Sequence, residues 1–376
     1  MIACKAAVCE EAGEDLVVKE VTVDPPEVGE VRVKIFYTGV CHTDEYFRSG
    51  MDDLKIFPTI YGHEGAGIVE SIGEGVTSVE IGDHVIPSYC PQCRECELCK
   101  SPKTNFCEIN WISTWTGTMP DGTTRFKDKD GNKLFHFMST STFCQYTVVS
   151  EIHIVKITEE APLDKVCLLG CAITTGYGAV LNTLKVEEGS SVAVVGLGGV
   201  GLAAIMGAAN VKASQIIAVD INPDKFEKAL AFGATDTVNP LDYDGKELKD
   251  IISEMTDGIG VDYSLECVGE AKLMRQAFLA TKPNGGFSCA IGATPGEQDL
   301  ELASDDIQGR QITGTYFGGT KSRDQLPGLV DEYLSGHIKI DEFITHTFTL
   351  EEINEAFNAM KEGKCIKAVV KMVDDE

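Results

Sequence analysis

Four cysteines crowd into fifteen residues: Cys93, Cys96, Cys99 and Cys107, separated by two, two and seven positions. Thiolates this dense in a reduced chain call for a metal, and zinc held by four cysteines makes a closed, tetrahedral, structural site. An iron–sulfur cluster uses a related C-x2-C-x2-C run, but the bacterial pattern continues with x3-C-P, which is missing here. Bare packing of free thiols is the plain alternative, and the polar neighbours Arg94, Glu95 and Glu97 argue against it. Cys90, three residues before Cys93, is left out of the set. A second constellation is scattered: Cys41-His42-Thr43-Asp44, then Gly62-His63-Glu64, then Gly170-Cys171-Ala172. Alone, His63 reads as a core histidine and Cys171 as a small buried hydrophobe. Together they offer two thiolates and an imidazole, the donor set of a catalytic zinc with its fourth position open.

A third motif is of the kind that cradles phosphate, a plain glycine-rich turn being the alternative. Gly196-Leu197-Gly198-Gly199-Val200-Gly201 follows the apolar run Ser190–Val195 and opens a small-residue helix, and Asp220 ends the next apolar run nineteen residues after Gly201. In that setting Gly196 makes the tight turn, Gly198 lets backbone approach a pyrophosphate on the helix N-terminus, and Gly201 allows close helix–strand packing. Asp220 is placed to bind both hydroxyls of an adenosine ribose and to repel the 2′-phosphate of NADP, so NAD is the expected coenzyme.

These motifs need particular elements to position them. Up to about residue 170, short strands alternate with Gly/Pro turns: Leu16–Val23, Glu30–Thr38 and Gly67–Ile72, punctuated by Pro25-Pro26, Gly62 and Gly73. This predicts an irregular β-rich domain. From about Gly189, strands and helices alternate. Helices are expected at Gly201–Asn210, Pro223–Phe232, Lys246–Met255 and Ala271–Ala280, with strands between them and at Gly286–Ile291. That order predicts an α/β, doubly wound parallel sheet, because parallel strands need long crossovers. A mixed pattern closes the chain, with a helix near Glu351–Lys361 and a strand at Ile366–Met372.

At 376 residues the chain is more than twice the roughly 150-residue prior for one domain. Its 32 Lys and Arg against 59 Asp and Glu leave −27, a field that repels phosphate polymers and anionic bilayers, so neither nucleic acid nor membrane is an expected partner. No apolar run reaches the roughly 18 residues of a membrane span, and MIACKAAVCEEAGEDL does not read as a secretory leader. Fourteen cysteines in such a chain read as reduced thiols and metal ligands, with the cytoplasm as the expected compartment.

From Cys4-Lys-Ala-Ala-Val through CHTD, GHEGAG, the four-cysteine lobe, GLGGVG and YFGG to THTFTLEEINEAF, the chain resembles the zinc-dependent medium-chain alcohol dehydrogenases end to end. Within them it is most similar to the glutathione-dependent formaldehyde dehydrogenase, or class III, branch. The resemblance implies a β-rich GroES-like catalytic domain in two segments, residues 1–172 with the zinc lobe at about 90–107 and residues 317–376, around a Rossmann domain at 173–316. It implies a homodimer, two zinc ions per subunit and NAD. Cys41, His63 and Cys171 would hold the catalytic zinc, with Glu64 as a nearby or transient ligand and Asp44 behind His63. The open metal position would take the alcohol oxygen and lower its pKa, Thr43 would accept the hydroxyl's hydrogen bond, and hydride would pass to nicotinamide. Gly196, Gly198, Gly199, Val200, Gly201, Asp220 and Lys225 would bind the coenzyme, with His42 and Lys367 beside its pyrophosphate and Thr175 behind the nicotinamide.

Departures from the family bear on substrate. Tyr46 stands where some relatives end the proton relay with a histidine, and Lys367 where arginine is usual, which keeps the charge and loses the bidentate fork. Glutathione-using relatives carry an arginine at the position of Trp111 and an uncharged polar residue at Glu108, while Asp52, which can meet the amino group of glutathione, is retained. With Tyr89, Trp111 and Ile112 lining the site, the expected substrates are medium or bulky primary alcohols and their aldehydes. The alternative is S-(hydroxymethyl)glutathione oxidation with S-nitrosoglutathione reduction. A non-catalytic zinc- and NAD-binding member of the fold is the remote third, disfavoured because all three catalytic ligands and Thr43 are present.

Overall fold

The structure, a computed structural model, describes residues 1–51, 54–109 and 113–373. The chain divides into two compact units, Met1–Cys171 with Lys321–Glu376, and Ala172–Thr320.

The first unit is β-rich, as the Gly/Pro punctuation predicts. Strand Glu30–Gly39 is its spine: it pairs antiparallel with Glu64–Ile72, Tyr146–Ser150 and Lys367–Lys371. The C-terminal strand thereby joins the N-terminal sheet, which is why the catalytic domain needs both ends of the chain. Strand Ile2–Cys9 pairs along its length with Val17–Val23 in a second sheet. The core between them is aliphatic and aromatic, with Val31, Val33, Ile35, Phe126 and Phe143 buried.

The second unit carries the expected parallel sheet. Its strands run in the order Asp236–Val238, Gln215–Val219, Ser191–Val195, Tyr263–Glu266, Phe287–Ala290, Gln311–Gly314, all parallel. This is the 3-2-1-4-5-6 order of a dinucleotide-binding fold. Helix Gly199–Asn210 starts two residues before the expected Gly201. Among the helices that escaped the sequence reading are His42–Arg48, Ala172–Gly178, which is buried throughout, and Ser322–Leu334 in the first unit, which carries Pro327 inside it. Among the described residues no single helix is long and apolar enough to cross a membrane.

Candidate active site and metal centres

Two short elements bring the scattered donors of the first unit together. Cys41 precedes helix His42–Arg48, and His63 precedes strand Glu64–Ile72. Cys171 follows the tight turn Cys167–Gly170, where Gly170 lies so close to the strand that a Cβ would sit 3.0 Å from Glu64 Cα and 3.1 Å from His63 O. Glycine there lets Cys171 reach the other two donors. The ligand atoms of Cys41, His63, Glu64 and Cys171 all lie within 4.8 Å of one another.

Asp44 holds this set in place. It is fully buried; its Oδ2 accepts the Cys41 N–H (3.1 Å), and its Oδ1 accepts the Gly62 N–H (3.1 Å) and His63 Nδ1–H (2.9 Å). One carboxylate thus braces the segments carrying two donors. With Nδ1 donating to Asp44, Nε2 is the nitrogen presented to a ligand, and it is buried with no hydrogen-bond partner. The donor chemistry and this orphaned nitrogen fit a divalent zinc. The two thiols share one proton: a hydrogen bond from Cys171, aided by His63, holds Cys41 well below the usual thiol range, and the same bond together with burial pushes Cys171 well above it. Tyr89 closes one side, its hydroxyl 3.8 Å from Cys171 Sγ and its ring 5.5 Å edge-on from His63.

Glu64 also pairs with a cation. Its Oε2 lies 2.5 Å from Lys367 Nζ, which also donates to Val40 O at 2.8 Å. Both side chains are buried, and burial pushes the Glu64 carboxyl up to about 7 despite the lysine. The Lys367 ammonium, expected beside a pyrophosphate, is therefore already engaged inside the first unit. Thr43 is half-buried and His42 exposed on the first turn of their helix, and the Tyr46 hydroxyl donates to Met51 O at 3.3 Å.

The four-cysteine lobe gathers Cys93, Cys96, Cys99 and Cys107 within the same 4.8 Å limit. Backbone N–H groups of Glu95 and Cys96 point at Cys93 Sγ, and that of Cys99 at Cys96 Sγ, at 3.3–3.4 Å. Such donors stabilise thiolates, and with four of them the lobe fits a closed zinc site. Cys90 stands apart from this group, its thiol directed at Asn105 O (3.8 Å) and pushed up to about 12 by burial. The lobe is tied to helix Ser322–Leu334: Lys321 Nζ donates to Ser101 O at 2.8 Å and Arg94 Nε to Asp324 Oδ1 at 2.8 Å.

In the second unit the glycines of the phosphate motif differ in what surrounds them. Gly196 has φ +94°, a Cβ on Gly201 would strike Gly196 O at 1.8 Å, and one on Gly198 would meet nothing within 4 Å. Turn, close packing and an open approach thus fall on the residues expected to provide them. Asp220 Oδ2 accepts from Leu197 N at 2.8 Å and from Lys225 Nζ at 2.9 Å, which ties the acidic end of one strand to the glycine turn after another. Thr175 is buried with its hydroxyl unpartnered.

Asp52, Trp111 and Ile112, expected in the substrate pocket, lie outside the described residues. What the sequence reading missed is an aromatic recess beside the metal donors. Phe47, Ile56, Tyr61, Trp115 and Phe137 line it, and the Phe137 ring sits 5.9 Å from that of His63 and 4.7 Å from that of Tyr61. Its residues come from four stretches of chain, and each alone reads as core.

Comparison with known proteins matches this arrangement. The alcohol dehydrogenase GroES-like domain model covers residues 27–159 and the zinc-binding dehydrogenase model residues 199–335. Alcohol dehydrogenase class-3 of Dictyostelium discoideum is 52% identical over 375 residues, covering 99% of this chain and 98% of that protein. Its Drosophila melanogaster counterpart is 51% identical with the same coverage. Among solved structures, the alcohol dehydrogenase zinc-binding domain protein from Burkholderia ambifaria superposes with TM-score 0.92 at 34% identity, and benzyl alcohol dehydrogenase from Acinetobacter calcoaceticus with 0.91 at 31%, each over 99% of this chain and 100% of the other. The chain belongs to the zinc-dependent medium-chain alcohol dehydrogenases. Within that family it falls in the class III branch, and its cofactors are zinc and NAD.

Proposed function

We propose that this protein oxidises medium or bulky primary alcohols to aldehydes, reversibly, and that the aromatic recess beside the metal donors receives the alcohol's apolar body. Bound at Cys41, His63 and Cys171, zinc supplies a Lewis acid for the alcohol oxygen, and NAD supplies the hydride acceptor. The chain's own residues do the rest. Asp44 fixes the His63 tautomer and aims Nε2; Thr43 accepts the hydroxyl's hydrogen bond; Lys367 pairs with the Glu64 carboxylate beside the other donors. Phe137 and Tyr61 exclude water from the apolar side of the donors, where a hydrocarbon gains by leaving water. The recess carries this reading, and the likeness to a benzyl alcohol dehydrogenase supports it.

The second reading, S-(hydroxymethyl)glutathione oxidation, is favoured by the full-length identity to two class-3 enzymes. It requires a cation for a glutathione carboxylate, which Trp111 cannot supply and Glu108 opposes. Losing a charge-assisted hydrogen bond costs ~1.5–3 kcal/mol, roughly ten- to a hundredfold in kcat/KM. Initial rates with NAD on octanol, cinnamyl alcohol, ethanol and formaldehyde with glutathione separate the two. Octanol or cinnamyl alcohol should give the highest kcat/KM, and Trp111→Arg should raise that of the glutathione adduct. An adduct oxidised far better than any free alcohol would replace the first reading by the second.

A further inference from the structure

Two thiols outside both donor sets meet in the first unit. Cys4 Sγ and Cys144 Sγ lie 3.6 Å apart, although 140 positions separate them in the chain. Neither is in a disulfide. Backbone pairing brings them together: Ala7 N–H donates to Phe143 O at 2.9 Å, Gln145 N–H donates to Lys5 O at 3.1 Å, and Ala6 bridges Cys144 antiparallel. Residues two apart on extended backbone share a face, so Cys4 projects to the side of Ala6 and Cys144. Cys4 keeps 8% exposure, whereas Cys144 is enclosed at 0%. The hydrogen bond from Cys144, with help from the Tyr146 amide and the Arg32 charge, holds the Cys4 thiol below its usual range against the effect of burial. Burial, then the same bond, pushes the Cys144 thiol well above it.

A thiol of lowered pKa on the more open side, poised against a protonated partner, is the arrangement of an attacking and a resolving cysteine. We propose that Cys4 and Cys144 are a redox modification site, which hydrogen peroxide converts to a disulfide that fastens strand Ile2–Cys9 to the segment before Tyr146. The Cys4 thiolate attacks one peroxide oxygen; the O–O bond breaks, leaving hydroxide and a sulfenic acid on Cys4. The Cys144 sulfur then attacks the Cys4 sulfur, the S–O bond breaks, and the hydroxyl leaves with the Cys144 proton as water. The two sulfurs give up two electrons, and the two peroxide oxygens end as hydroxide and water. A dithiol reverses the step by thiol–disulfide exchange. The captured segment also braces a metal donor: Thr142 N–H donates to Gly62 O at 2.9 Å and Phe143 N–H to Tyr61 O at 3.0 Å, just before His63. A link across 140 positions is of the long kind that restricts the unfolded chain most.

The test is peptide mapping of the zinc-loaded protein after brief exposure to hydrogen peroxide, with remaining thiols alkylated during unfolding. A peptide pair joining Cys4 to Cys144, released by dithiothreitol, should be the first disulfide to form. In Cys144→Ser, which cannot resolve the intermediate, dimedone should trap a sulfenic acid on Cys4, an adduct that the wild type loses to the disulfide. The oxidised wild type, its zinc content unchanged, should melt several degrees above the reduced protein, and Cys4→Ser should show no such rise. The mapping needs only the wild type, so it decides even where a variant does not fold. Cys4 and Cys144 both recovered alkylated, at peroxide doses that oxidise the zinc-binding cysteines, would overturn the inference. A crosslink that leaves the midpoint unchanged or lowered would overturn it equally, because the bond would then strain the fold and not fasten it.

Discussion

At the scale of single residues, the clearest assignments are those in which one side chain answers to several neighbours. Asp220 receives the glycine-turn amide and Lys225 at once, so its carboxylate is held beside the glycine turn; we propose that an adenosine ribose meets it there, where a 2′-phosphate would face a held negative charge. We expect kcat/KM for NAD to exceed that for NADP by at least ~10²-fold, and Asp220→Gly to narrow the gap; equal use of the two coenzymes by the wild type would refute the role. A second prediction concerns two buried neutral histidines. Unfolded, each takes a proton near about 6.5. Folded, burial holds His136 neutral down to about 3 and His153 down to about 4. Between those values the unfolded chain binds the extra protons, so their contribution to stability is complete above pH ~6.5 and is lost as pH falls, by about 1.4 kcal/mol per pH unit per histidine. His153 Nδ1 donates to Ser88 O at 2.8 Å, a bond that glutamine can keep. Urea midpoints of zinc-loaded protein, measured between pH 6.5 and 5, should fall less steeply for His153→Gln than for the wild type. Parallel slopes would show that His153 does not couple to acid unfolding.

At the scale of elements, the two cysteine sets should separate folding from turnover. The four-cysteine lobe has little secondary structure of its own: one short helix, Glu97–Lys100, between turns. Its shape depends on metal ligation and on the ties from Lys321 and Arg94. Structural zinc contributes folding energy directly, so Cys96→Ser should lower the thermal midpoint by several degrees. Cys171 sits on a turn already braced by the buried Leu168 and Leu169, so Cys171→Ser should abolish activity with the midpoint little changed. Metal analysis should give two zinc ions per wild-type chain and one for Cys171→Ser; a single zinc in the wild type would remove the distinction. The two donor groups were legible in the sequence because the segments that carry most of their donors are local motifs: CxxCxxC, CHTD and GHE put donors on turns whose geometry the spacing constrains. Strand and helix order in the second unit was legible for the same reason, through hydrophobic runs of the right period. What escaped had no local signal. Helix Ser322–Leu334 hides behind Pro327 and a mixed charge pattern. The recess is assembled from Phe47, Ile56, Tyr61, Trp115 and Phe137, whose types are those of any core. Likewise, nothing in GKCIKAVV announces that Lys367 is buried against Glu64.

At the scale of the whole molecule, the charge of −27 sets two electrostatic contributions against each other. Specific ion pairs stabilise the fold, but most involve exposed side chains, such as Lys5 with Glu351 and Lys246 with Glu254. Pairs of that kind contribute only ~0–1 kcal/mol and are screened by salt. Pairs with a buried member, such as Arg125 with Glu30, Lys367 with Glu64 and Arg32 with Glu70, are screened much less. Against them stands the mutual repulsion of the unpaired carboxylates, a long-range term that favours the expanded chain. Its reach is the Debye length, about 30 Å at 0.01 M salt and about 3 Å at 1 M. Raising salt should therefore remove more repulsion than attraction. We predict that the thermal midpoint of the zinc-loaded protein rises by several degrees between about 0.01 M and about 0.5 M sodium chloride. Most of the rise should come in the lower part of that range, where the Debye length changes most. Potassium chloride should act like the sodium salt, since the effect is screening and not site binding. A midpoint that falls with salt would mean that the surface ion pairs outweigh the repulsion, and that the excess acid is arranged around cations more closely than the pairs described here account for.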